Sequence, residues 1–170
     1  MAKFYSVGVG AGDGSYITLG ALRALEQADI IAVPVKKYGE KSTALEIIRK
    51  EFDTDKKEIS ELEFRMSGDT KVREESRRNS SEKIISALKD GKDVAMITLG
   101  DVSVYSTCTY VHNAVKNAGF ELEIIPGITS FCAAADKAQI SLARETNRLR
   151  LFPRLNQIYL KNILPILIRL

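Results

Sequence analysis

Apolar residues recur along this chain in two alternating rhythms. FYSVGVG (4–10) alternates with a period of two and ends in glycines, which predicts a strand running into a tight loop. Thr18 stands where a helix needs its cap, and Leu19, Leu22, Leu25 and Ala28 behind it predict one buried helix face. DIIAVP (29–34) predicts a second strand stopped by Pro34. Ser42 and Thr43 open a helix through ALEIIRKEF, and KEISELEF (57–64) alternates as a third strand. From Asp69 to Asp90 a helix is polar at first and gains Ile84, Ile85 and Leu88 later, so only its second half is expected to dock on a core; Gly91 ends it. DVAMITLG (93–100) is the most continuously apolar run, the pattern of a strand buried on both faces. A helix from about Ser106 to Asn117, a strand at ELEIIP (121–126), and a loop and helix in PGITSFCAAADKA complete the alternation. Strand and helix in strict turn predict an α/β fold, an open parallel sheet of about five strands with crossover helices.

The rhythm breaks after about residue 143. RLRLFPRLNQIYLKNILPILIRL has no acidic residue, no glycine and no clean period, and Pro153 and Pro165 interrupt it. The boundaries expected are therefore an α/β domain over 1–143 and an atypical tail over 144–170. The apolar run ILPILIRL is too short to span a bilayer, so no membrane partner is expected.

Composition adds little until it is divided along the chain. A length of 170 residues, 45% hydrophobic and 28% charged, suits one sizeable core in an ordinary folded protein. All 22 acidic residues lie at or before Glu145 with 20 of the 25 Lys and Arg, so residues 1–145 carry −2 and the last 25 carry +5. The basic balance belongs to the tail and does not mark the main body as a nucleic-acid binder. Cys108 and Cys132, with His112 as the one histidine, support neither a disulfide framework nor a metal site. No leader-like pattern precedes the first strand, and a reduced, cytoplasmic protein is expected.

Ligands of open α/β sheets bind beyond the carboxyl ends of the strands, and three loops fall there: GVGAGDGS (8–15), LGDVSVYS (99–106) and PGITSF (126–131). In the first, Gly8 and Gly10 permit close approach to a phosphate. The third glycine of a dinucleotide fingerprint is replaced by Asp13, and Lys36 and Lys37 follow strand two where an acid would hold a ribose. An NADP-binding oxidoreductase domain and a plain tight turn both stay open. In the second loop Gly100 allows backbone approach, Asp101 offers a carboxylate to hydroxyls or a cationic centre, and Ser103, Tyr105, Ser106 and Thr107 add hydrogen-bonding groups. The competing role for Asp101 is a helix cap. In the third, Pro126 and Gly127 turn the chain, and Thr129 and Ser130 present hydroxyls at a helix start.

Taken in order, GVGAGD, LGDVSVYS and PGITS resemble the tetrapyrrole methylases. ADIIAVPVKKYGEKSTALEII, ELEFRMSGD and AMITLGDVSVYSTCTYV are similar to the branch that methylates C-20 of precorrin-2 or cobalt-factor II in cobalamin biosynthesis, and the resemblance covers about residues 3–145. It implies an S-adenosylmethionine-dependent methyltransferase, a homodimer of two-domain subunits, with a small-molecule tetrapyrrole as substrate. It also implies that Ala11, Gly100, Asp101, Val104, Ser130 and Phe131 contact the cofactor. Proline usually stands where this chain has Ala11 and Val102. A sulfonium methyl is already activated, so transfer needs placement and exclusion of water rather than an acid–base pair, and no catalytic residue is singled out. The basic residues Arg65, Lys71, Arg73, Arg77 and Arg78 are candidates to meet substrate carboxylates, or simply form a solvated helix face. The tail is expected to be a truncated or frameshifted second domain, leaving the C-terminal domain largely missing, cofactor binding weak and methyl transfer slow or absent. A non-catalytic α/β binding module is the remaining alternative.

Overall fold

The computed structural model describes residues 2–146, 149 and 151, so the atypical tail lies almost wholly outside the described residues. The chain divides into two compact units, Met1–Ala134 and Ala135–Leu170, and the first contains the sheet. Five strands form it: β1 (Lys3–Gly8), β2 (Ile30–Val35), β3 (Glu58–Glu63), β4 (Val94–Thr98) and β5 (Glu121–Ile125). All pair in parallel, in the order β3-β2-β4-β1-β5. The helices are α1 (Leu19–Gln27), α2 (Thr43–Ile48), α3 (Thr70–Lys89), α4 (Thr109–Asn117) and α5 (Ser130–Lys137).

Strand alternation divides the core into two layers. From β1, Tyr5 and Val7 join Ile31 and Val33 of β2 and Ala95 and Ile97 of β4 on one face, where α1 and α2 pack. Phe4, Ile30, Ala32, Val94 and Met96 take the opposite face with α3 and α4. The order makes this necessary. The chain steps outward from β1 through β2 to β3, then returns to insert β4 between β2 and β1, so its crossovers change face. β1 and β4 are neighbours whose outgoing loops leave toward opposite faces, and such a reversal opens a crevice at the carboxyl ends of the strands.

Helix starts follow the expected cap chemistry. The side-chain oxygens of Thr18, Ser42 and Asp69 accept the N–H groups of Ala21, Leu45 and Lys71 at 3.1, 3.4 and 2.8 Å. Three expectations are corrected. Leu19 is exposed; α1 docks through Leu25 and Ala28 of the expected face and, beside them, through Ala21 and Ala24, small residues that bring the helix close to the sheet. Pro34 does not stop β2, which continues to Val35. Val35 accepts the N–H of Phe64, so it faces β3, and Pro34 turns its missing donor toward β4 beyond Ala32, where that pairing has ended. α4 begins at Thr109, not near Ser106, because residues 101–107 wrap back over the strand end as a loop.

The first half of α3 also docks, through hydroxyls. Ser76, Ser80 and Ser81 are buried with Ile84 and Leu88. The Ser76 hydroxyl donates to the Glu63 carbonyl at 2.5 Å and accepts the Arg65 N–H at 3.0 Å, and Ser80 donates to the same carbonyl at 3.1 Å. These bonds satisfy the backbone just past β3, an edge strand that would otherwise bury unpaired groups under the helix.

Substituting Ser76→Ala is expected to lower stability in urea unfolding by about 1–3 kcal/mol, since it strands the Arg65 N–H. Ser80→Ala should cost less, because Ser76 still serves the Glu63 carbonyl. Equal costs for the two would count against this docking role.

Candidate functional site

The loops leaving β1, β4 and β5 meet at the carboxyl edge of the sheet, and glycines let them touch. A Cβ on Gly8 would lie 2.7 Å from the Gly127 nitrogen and 2.8 Å from the Gly100 oxygen. One on Gly127 would fall 2.1 Å from the Gly100 oxygen. Gly10 and Gly100, with φ +81° and +73°, exchange backbone hydrogen bonds of 3.2 and 2.7 Å. Gly8 and Gly10 therefore admit the chain's own backbone, not a phosphate. Asp13 accepts the N–H and hydroxyl of Ser15 at 3.0 and 2.8 Å, capping a short 3-10 turn at Gly14–Tyr16.

Asp101 ties the second loop to the third. One carboxylate oxygen accepts the Gly127 N–H at 2.8 Å, and the other accepts the Ser103 N–H at 2.8 Å and the Ser103 hydroxyl. Burial works against its charge, but the Ser103 hydroxyl, then the Gly127 N–H, hold the carboxyl below the usual carboxylate range. It does not cap α4, whose cap position is Cys108 without a side-chain bond. Ser106 is likewise structural: it is buried, donates to the Thr98 hydroxyl at 3.1 Å and accepts the Cys108 N–H at 3.1 Å. Val102 is buried in the core beneath this loop.

Between the loops lies a cavity of about 240 Å³. Ala11, Gly100, Asp101, Val104, Ser130 and Phe131 all line it, so the six residues singled out from the sequence converge on one place. Gly12, Leu99, Thr43 and Thr129 complete the wall. Thr129 carries a signal that sequence reading noted only as a hydroxyl near a helix start: its side-chain oxygen is buried without a hydrogen-bond partner. Buried polar groups are nearly always satisfied, so a polar ligand atom is a natural complement to this one. Thr43, brought in from the start of α2, had no signal of its own in the sequence.

The site is thus a small crevice of loop backbone, one carboxylate and hydroxyls on a doubly wound parallel sheet, the arrangement of an α/β small-molecule-binding enzyme domain. The chain belongs to the tetrapyrrole (corrin/porphyrin) methylases, whose family profile matches residues 3–164. It is 43% identical over 152 residues to a probable cobalt-precorrin-2 C(20)-methyltransferase of Methanocaldococcus jannaschii, covering 89% of this chain and 64% of that protein. With the cobalt-precorrin-2 C(20)-methyltransferase of Salmonella typhimurium it shares 33% over 147 residues, covering 86% of this chain and 61% of that one. Among solved structures, a cobalt precorrin-4 methyltransferase superposes with TM-score 0.62 at 25% identity, covering 84% of this chain and 53% of the other. The uroporphyrin-III-C-methyltransferase of Thermus thermophilus gives TM-score 0.60 at 25% identity, covering 84% and 55%. The chain thus spans a little under two thirds of the length of these curated relatives.

Two outcomes test the loop junction. Gly127→Ala should destabilise the protein by about 3 kcal/mol or more by overpacking backbone on backbone, while Gly68→Ala, with open space around it, should stay within about 0.5 kcal/mol; urea unfolding of both decides. The folded-state pKa of Asp101 is depressed, so its stabilisation is fully present above the unfolded carboxyl's value of about 3.9 and is lost as pH falls through the lower folded value. The stability gap between the protein and Asp101→Asn should therefore be constant near neutrality and close in acid. A gap independent of pH would refute the ionised role.

Proposed function

We propose that this chain binds S-adenosylmethionine in the three-loop cavity and forms part of a methyltransferase acting at C-20 of precorrin-2 or cobalt-factor II in cobalamin biosynthesis. The observation that carries the reading is the convergence of Ala11, Gly100, Asp101, Val104, Ser130 and Phe131 on one cavity. The similarity to two C(20)-methyltransferases supports the substrate and the carbon. The closed approach of Gly8 to Gly100 and Gly127 supports it against an NADP-binding domain, whose glycines must leave room for a pyrophosphate.

The residues present suit the group. S-adenosylmethionine supplies an activated methyl on a cationic sulfur, and the chain's part is to bind, orient and keep water away. Asp101 retains its negative charge beside the cavity and thereby favours a cationic ligand. The backbone of Gly100 and the hydroxyls of Thr129 and Ser130 offer hydrogen bonds, and Leu99, Val104 and Phe131 supply apolar wall. The cavity's volume of about 240 Å³ is below the ~300–1,000 Å³ of typical small-molecule pockets, so it grips part of such a ligand. The same reading includes a division at about residue 143, a homodimer and a cytoplasmic location. The free thiols of Cys108 and Cys132 fit a reducing compartment, and the exposed Ile124 on the edge strand β5 offers apolar surface for association. Among the described residues no helix is long and apolar enough to cross a membrane.

Calorimetric titration tests the reading: S-adenosylmethionine should bind, more weakly than low-micromolar, and NADPH should not. Thr129→Val should weaken S-adenosylmethionine binding roughly two- to ten-fold by leaving a ligand group unpaired. Binding of NADPH in its place would overturn the proposal. Assays of methyl transfer to the metal-free and the cobalt-containing tetrapyrrole address the substrate.

A further inference from the structure

The loop that walls the first cavity also walls a second. Leu99, Gly100, Asp101 and Val104 line the former, and the next residues, Tyr105, Ser106 and Thr107, line a cavity of about 240 Å³ against Arg73, Arg77 and Tyr110. A third hollow shares Thr43 and Leu99 with the first and Thr107 with the second, and carries Lys36, Lys41 and Glu40 on its wall. The three hollows therefore lie side by side at the carboxyl edge of the sheet, with the carboxylate of Asp101 at the first and guanidinium groups of α3 at the second.

The charges at the second hollow are not equivalent. Arg65 is neutralised by Glu63, 2.7 Å away. Arg73 is fixed by bonds to the carbonyls of Ser67 and Gly68, at 2.5 and 3.1 Å, and to the Thr70 hydroxyl at 3.0 Å, which order the entry to α3. Arg77 is half-buried, with its guanidinium carbon 3.6 Å from the centre of the Tyr110 ring, and no carboxylate among the described residues pairs with it. Stacking holds the planar fork in place while leaving its N–H edge for a ligand. The floor beside it is apolar and open: Met66 is 80% exposed, and Tyr105 is 74% exposed with a left-handed φ of +50° that carries it out of the loop.

We propose that the Arg77–Tyr110 cavity is a carboxylate-recognition subsite that anchors an acidic arm of the methyl acceptor while the acceptor's apolar body lies over Tyr105 and Met66. The inference rests on the reading that the first cavity takes the methyl donor. Arg77 is a binding residue for the acceptor and takes no part in the transfer itself. Bidentate geometry at a stacked guanidinium selects a carboxylate over a neutral polar group.

Uroporphyrin, a stable carboxylate-rich tetrapyrrole, serves as the probe in fluorescence titration of the full chain. Arg77→Gln should raise its dissociation constant roughly ten- to a hundred-fold. Arg77→Lys, which keeps the charge without the fork, should recover only part of that loss. Arg23→Gln, on the opposite face of the sheet, serves as the matched loss of one surface charge and should change little. S-adenosylmethionine affinity should be the same for Arg77→Gln as for the unsubstituted chain, and unfolding should stay cooperative with only the small drop in midpoint expected from losing the Tyr110 stack, which separates a subsite from a structural role. Unchanged uroporphyrin binding in Arg77→Gln, or none in the unsubstituted chain, overturns the subsite. If S-adenosylmethionine still binds in either case, the methyltransferase reading stands; if it does not, that reading fails separately.

Discussion

Everything at the carboxyl edge of this sheet depends on backbone touching backbone. Gly8, Gly100 and Gly127 end or follow three different strands; a Cβ on Gly8 or Gly127 would collide with the backbone of the other two, and Gly100 holds a left-handed φ of +73° that presents its carbonyl to both. Their contact draws the loops after β1, β4 and β5 to one point. Asp101 then fastens the junction by accepting the Gly127 N–H, and Gly10 and Gly100 close it with paired backbone bonds. With side chains at Gly8 and Gly127 the loops would splay, and the cavity walls would have no common origin.

The junction needs a rigid platform, and the two-layered core supplies it. β1 and β4 are buried on both faces, so their ends are fixed by the packing of α1 and α2 on one side and α3 and α4 on the other. The return of the chain from β3 to β4 sends the loop of β4 away from that of β1. The ligand crevice is thus a consequence of strand order, before any particular side chain is chosen. The serines of α3 extend the same platform to the edge, where they take up backbone groups beyond β3 that no further strand receives.

Strand and helix alternation made the parallel α/β class legible, because period-two and period-3.6 runs stand out in single segments. The insertion of β4 between β2 and β1 was not, since order depends on which faces pack together. The three loops were recognisable by composition, yet the purpose of Gly8 and Gly10 was not: their partners, Gly100, Gly127 and the Tyr16 backbone, are set by the fold. A sequence shows that a glycine permits close approach and does not show to what. Similarly, Ser76 and Ser80 counted as polar in a hydropathy reading, although a hydroxyl that finds a carbonyl can dock a helix as well as a methyl group can. Asp101 lines the cavity, but neither role its sequence context suggests, ligand contact or helix cap, includes its bond to the third loop.

That bond explains how a single loop can keep a negative charge beside one cavity and lead directly into a positive one. Asp101 holds its carboxylate ionised through bonds internal to the protein, so its negative potential is available without requiring a direct contact to the donor. A few residues later the chain reverses through Tyr105 in a left-handed conformation and enters the territory of Arg73 and Arg77. The order of charge along this loop is therefore negative and then positive, the order required by the proposed cationic methyl donor and anionic acceptor. Were the two exchanged, the acceptor's carboxylates would face Asp101 and the sulfonium would face guanidinium groups, both repulsive in a partly desolvated crevice. On the proposed reading, polarity along the loop sets which ligand lies at which end, and the glycine junction fixes where the loop starts.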